Sequence, residues 1–217
     1  MGLSKEDRKM ARGISDIIEG LDKLIFPKKP IPVFVIDNII IRDENERFRY
    51  CATTSSEFRK IIQHKGEFYL IFGIGLNRRI KKDQRKRVML FSGEDRFRES
   101  REFPFFSLKG ILFTIASHEV RHRIFFHYPE RAFSPLQIRY IHNEDLKALF
   151  LYVYQLSSVI YKEDTNSPRF RREFDAAIIE HVVAEKYYRG VRDIIEISKI
   201  ISAGSIAELE NYWKKIN

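Results

Sequence analysis

Near the start of the chain, Met10, Ile14, Ile17, Ile18 and Leu21 recur every three or four residues, the period of one helical face. This spacing predicts a first helix capped by Ser4 and running to about Leu24, with Pro27 and Pro30 to stop it. The period then changes. Ile31 to Ile41 is rich in Val and Ile, and Glu67 to Ile80 and Val88 to Phe91 read as further extended segments. From Phe106 onward the helical period returns and predicts helices over 107–127, 143–161, 168–188, 191–201 and 205–215. The pattern as a whole predicts an α+β class in one domain, 1–217. A small mixed or antiparallel sheet in the N-terminal half (1–105) is expected to pack on a helical C-terminal half (106–217).

Composition narrows the function classes. With 44% hydrophobic and 32% charged residues in 217, the chain has enough apolar material for a core and is not dominated by disorder. The longest apolar runs, such as Ala148 to Tyr154, are far shorter than a membrane span, so no membrane association is expected. Met1 to Asp16 is rich in charge and lacks the apolar centre of a secretory signal, which predicts a cytoplasmic protein. Cys51 is the only cysteine, so an intramolecular disulfide and a multi-cysteine zinc ribbon are both excluded. Any metal must be held by His and carboxylates. Gly66, Gly73, Gly75, Gly93 and Gly110 form no phosphate-binding loop opening a helix, so nucleotide binding has no support. A net charge of +9 points to polyanions or acidic partners.

Chemistry concentrates in His118-Glu119-Val120-Arg121-His122, inside the helix predicted over 107–127 and capped by Ser107. Four residues apart on a helix, His118 and His122 point to one side, so two imidazole nitrogens can bind a single zinc ion. Glu119, beside them, is placed to take a proton from a water whose pKa the metal lowers. The competing reading is a surface helix with an incidental His pair. A catalytic zinc needs a third protein ligand. The metzincin pattern fails, because Phe125 stands at its glycine position and Tyr128 at its histidine position. A later helix offers Glu173, with Asp175 and Glu180 as alternatives; small Ala176 and Ala177, one turn beyond Glu173, would let that helix come close. These carboxylates could instead pair with Arg169, Arg171 or Arg172, and Asp175 could orient a metal-binding His through its second ring nitrogen. His181, eight residues after Glu173, is a candidate catalytic donor, as are Tyr187 and Tyr188.

These residues resemble the gluzincin metallopeptidases, in which a helix carrying HExxH is followed by a helix supplying a glutamate. The resemblance covers roughly Phe106 to Tyr188. Within that group, Glu173-Phe-Asp175-Ala176 looks like the Glu-x-Glu-Ala element of the ImmA/IrrE-type peptidases and of the CAAX prenyl protease group; the former is the better match because the latter are membrane enzymes. The resemblance implies a zincin-like fold, zinc held by His118, His122 and Glu173, and Glu119 as general base in peptide hydrolysis. The chain departs from the pattern at Arg121 and Arg123, which flank His122 where uncharged residues are usual. The 50 residues between His122 and Glu173 predict an inserted helix at about 143–161.

A second feature is the basic run Arg78, Arg79, Lys81, Lys82, Arg85, Lys86 and Arg87. It reads as a solvated hairpin tip or as a phosphate-contacting arm that gains affinity by counterion release. Two function classes follow. One is a zinc enzyme that cuts a protein or peptide; the other is a catalytically inactive zincin-like scaffold that binds nucleic acid or a regulatory protein partner.

Overall fold

The computed structural model of the protein describes residues 5–28, 33–36, 39–42, 47–50, 52–54, 70–73, 108–161 and 165–214. Helix dominates them. The α-helices are α1 (Lys5–Ile25), α2 (Leu108–His127), α3 (Glu144–Tyr161), α4 (Pro168–Tyr188), α5 (Ile194–Ser202) and α6 (Ile206–Lys214). Two 3₁₀ turns, Pro129–Arg131 and Pro135–Tyr140, lie between α2 and α3.

Extended structure among the described residues comes in pieces of three or four residues: β1 (Val33–Ile36), β2 (Ile39–Arg42), β3 (Arg47–Tyr50), β4 (Ala52–Thr54) and β5 (Leu70–Gly73). β5 lies between β1, which is parallel to it with Val33 opposite Leu70, and β4, which is antiparallel with Ala52 opposite Phe72. β2 and β3 pair antiparallel, with Ile39 opposite Tyr50. The expected α+β class, with a sheet packed on a helical half, is therefore corrected: the described residues are mostly helical. The Val- and Ile-rich runs misled because β-propensity reports fit to a pleated, half-buried surface, not how far a ladder extends. The segment predicted over Val88–Phe91, the caps Ser4 and Ser107, and the basic run 78–87 lie outside the described residues.

The helices themselves follow local chemistry. Ser167 caps α4 by accepting the Phe170 N–H at 3.0 Å, with Pro168 at the first helical position, where a missing N–H costs nothing. Gly190 ends α4 at φ 98°, a left-handed conformation that glycine adopts without Cβ strain. Asp193 then caps α5 by accepting the Ile195 N–H at 2.9 Å. α1 and α5 approach closely at Gly20, where a Cβ would meet Ile194 Cδ1 at 2.6 Å.

α2 and α4 form the most extensive helix pair, with α1 against the other side of α2 and α3 against α4. Phe113, Val120 and Ile124 of α2 and Phe174, Ile178 and Val182 of α4 are buried in the core. A chain of aromatic contacts continues it, with Phe150 lying 5.8 Å from Phe133 and 6.1 Å from Phe174, centroid to centroid. Each such side chain contributes about 1.5–3 kcal/mol on leaving water. The small Ala176 and Ala177 are fully buried on α4. No helix among the described residues is long and apolar enough to cross a membrane.

Candidate metal centre

On α2 the four-residue spacing brings the imidazoles of His118 and His122 together, centroids 4.6 Å apart and planes nearly perpendicular. Glu173, in the second turn of α4, reaches across. Its Oε2 lies 3.6 Å from His118 Nε2 and 3.5 Å from His122 Nε2. Ligand atoms of the three residues lie within 4.8 Å of one another, a grouping that could hold a metal ion. The separations fit a small tetrahedral ion: ligands about 2.0–2.2 Å from such a centre stand roughly 3.3–3.6 Å from each other.

The carboxylate alternatives are sorted by helical angle. Glu180 is seven residues from Glu173, almost two full turns, so both lie on the α4 face towards α2. Glu180 does not join the three-residue group. It accepts a hydrogen bond from His118 Nδ1 at 2.8 Å, with both side chains buried. That bond places the Nδ1 proton towards Glu180 and turns the Nε2 lone pair of a neutral His118 towards Glu173 and His122. The orienting role considered for Asp175 thus falls to Glu180.

Asp175, two residues and about 200° around the helix from Glu173, also meets α2, on the other flank of the α2–α4 contact. It forms a two-pronged ion pair with Arg121, Nε to Oδ2 and Nη2 to Oδ1 both at 2.8 Å, and also accepts the Phe133 N–H at 2.7 Å. Arg121 donates further to the carbonyls of Ile201 at 2.7 Å, Ala203 at 2.8 Å and Arg131 at 2.8 Å. All five of its N–H groups are therefore used, and its guanidinium lies 5.0 Å from the Phe133 ring centre. Arg123 pairs with Asp22 of α1 and covers the Phe26 ring at 4.1 Å. The two arginines flanking His122 are thus ties between helices, each matched by a buried carboxylate.

Glu119 is buried beside His118, and its charge is among those felt there. Burial disfavours a charged His118, but the nearby Glu173 carboxylate, the hydrogen bond to Glu180 and the charges of Glu180 and Glu119 outweigh it, raising the pKa well above 6.5. For Glu173 burial also opposes charge. The His122 and Arg172 charges and the close approach of the His118 and His122 imidazoles prevail and hold it well below 4.5. In the metal-free protein a proton on His118 offsets the converging carboxylates.

His181 is not brought into the group. It is fully buried, its Nδ1 donates to the Ala177 carbonyl at 2.9 Å, and its ring packs 5.8 Å from that of Tyr152 on α3. Eight residues is about 80° beyond two full turns, enough to swing it from the α2 face towards α3. Tyr187 packs against Phe113, centroids 5.6 Å apart, and Tyr188 is exposed. Sequence reasoning missed Glu180 as the partner of His118, although its seven-residue spacing from Glu173 was a usable signal. It also missed Arg121 as the partner of Asp175. No protein-family model, no curated protein and no solved structure matches the chain.

Proposed function

We propose that the protein is a zinc-dependent metallohydrolase, a peptidase, with the metal held by His118, His122 and Glu173. The observation that carries this reading is the convergence of His118 Nε2, His122 Nε2 and Glu173 Oε2 from two helices onto one point, with Oε2 at 3.6 and 3.5 Å from the two nitrogens. Two imidazoles and a carboxylate suit zinc, and three protein ligands leave a fourth position for the reaction. The resemblance of His118-Glu119-x-x-His122 and Glu173 to the gluzincin arrangement, and of Glu173-x-Asp175-Ala176 to the ImmA/IrrE-type peptidases, supports the same reading.

Bound zinc would supply Lewis acidity, lowering the pKa of water towards about 7 and polarising a substrate carbonyl. The chain's own residues do the rest. Glu119 accepts a proton from the attacking water and delivers it to the leaving nitrogen, so the carboxylate is regenerated as the amide C–N bond breaks. Glu180 holds His118 in orientation. The substrate is a protein or peptide. With Cys51 as the only cysteine, the enzyme suits the reducing cytoplasm.

Metal content of the purified protein, measured by mass spectrometry, tests the proposal. About one zinc per chain is expected, lost in His118→Ala and in Glu173→Ala. Glu119→Gln should keep the metal and lower peptide hydrolysis by about 10²–10⁴-fold. A wild-type protein that takes up no zinc even after reconstitution would sink the enzyme reading.

A further inference from the structure

The two oxygens of Glu173 have different partners. Oε2 faces the imidazoles, whereas Oε1 accepts two hydrogen bonds from Arg172, from Nε at 3.1 Å and from Nη2 at 2.9 Å. A carboxylate free to turn about its last torsion can meet a metal with one oxygen or with both. Chelation through both would crowd the position that a hydrolytic metal must keep open. Two donors on one planar edge of a guanidinium, closing on the same oxygen, fix that torsion in a way a single ammonium does not.

We infer that Arg172 is a positioning residue that confines Glu173 to metal binding through Oε2 alone and so keeps one coordination position open; this rests on the metal reading above. Its surroundings agree with that role. The Arg172 side chain is 47% exposed and Glu173 only 13%, so the arginine sits at the rim and adds little to the core. An ion pair so exposed is screened by water and adds little to stability, too little to explain the pair as a fold determinant. Arg171, its exposed neighbour on the same turn, makes no side-chain bond to Glu173 among the described residues, and supplies an internal control for charge alone.

The experiment loads the full-length protein with cobalt(II) and reads its visible absorption, which is more intense for four-coordinate than for five-coordinate cobalt. Imidazole, a neutral one-point ligand, then titrates the open position. In Arg172→Gln the absorption should weaken and imidazole affinity should fall about tenfold, with Arg172→Lys following because it keeps the charge and loses the planar fork. Arg171→Gln should match wild type. If both Arg172 variants keep the wild-type spectrum and imidazole affinity, or if Arg171→Gln loses as much, the inference is overturned while the metal reading stands. A wild-type protein that takes up neither cobalt nor zinc overturns both.

Discussion

α2 and α4 meet through charged groups in two places, and the two places are finished differently. On one side, Arg121 and Asp175 are wholly buried, and every guanidinium N–H has a partner at 2.7–2.8 Å. On the other, His122 and Glu173 are 10% and 13% exposed, and His122 Nδ1 is buried with no hydrogen-bond partner among the described residues. The nitrogens and oxygen there converge at 3.5–3.6 Å, beyond ordinary hydrogen-bond length. A saturated ion pair holds two helices in register and has nothing left to offer a ligand. A set of donors that converge without closing on one another retains the capacity to bind.

The largest effect should come from breaking the saturated side. Asp175→Ala strands a buried guanidinium and the Phe133 N–H, and is expected to cost about 3–5 kcal/mol in a denaturant titration. A loss below about 1 kcal/mol would mean that Arg121 finds other compensation and that the two sides differ little in how firmly they hold the helices. On the open side, Glu180→Gln keeps the shape of the side chain and removes the charge that orients His118. Zinc affinity, measured against a competing chelator, should weaken by about 10–100-fold with the fold retained; unchanged affinity would remove Glu180 from the site.

The smallest effect, and the one that sharpens the contrast, is in pH. His118 has its folded pKa raised above 6.5, so the stability it contributes is fully present below that value and fades as pH rises through the raised one. The metal-free protein should therefore lose thermal stability as pH climbs above 6.5, while the gain from added zinc grows over the same range, because the ion displaces the His118 proton. A flat melting temperature across that window would remove His118 as a charged partner of Glu173 and Glu180. Asp175→Asn should leave this pH dependence in place.

What the sequence disclosed tracks the physical strength of each signal. The helical period is carried by many residues, and the predicted spans 107–127, 143–161 and 168–188 lie within one residue of α2, α3 and α4 at each end. His118 and His122 were legible because a four-residue spacing leaves little freedom. Glu173 was legible only as one of three carboxylates, and angle on the helix now separates them: Asp175 is turned about 200° away, and Glu180 returns to within about 20°. The fold class was misjudged where the Val- and Ile-rich stretch Ile31 to Ile41 and the segment Glu67 to Ile80 suggested a small sheet forming one half of an α+β fold, since β-branched runs say nothing of how many neighbours a strand will find. Arg121 looked like a flaw in the motif because its partners lie 54, 80 and 82 residues away and leave no local trace.

Arg121 also closes an account at the far end of another helix. The carbonyls of Ile201 and Ala203, where α5 finishes, point their lone pairs at its guanidinium, so a cation from α2 sits at the negative pole of α5. Lysine, with three donors at one point, cannot serve Asp175, the end of α5 and the Arg131 carbonyl together. The middle of the HExxH stretch is therefore constrained by the end of a helix some eighty residues downstream, and a library that randomises this position should return arginine even under selection for folding alone.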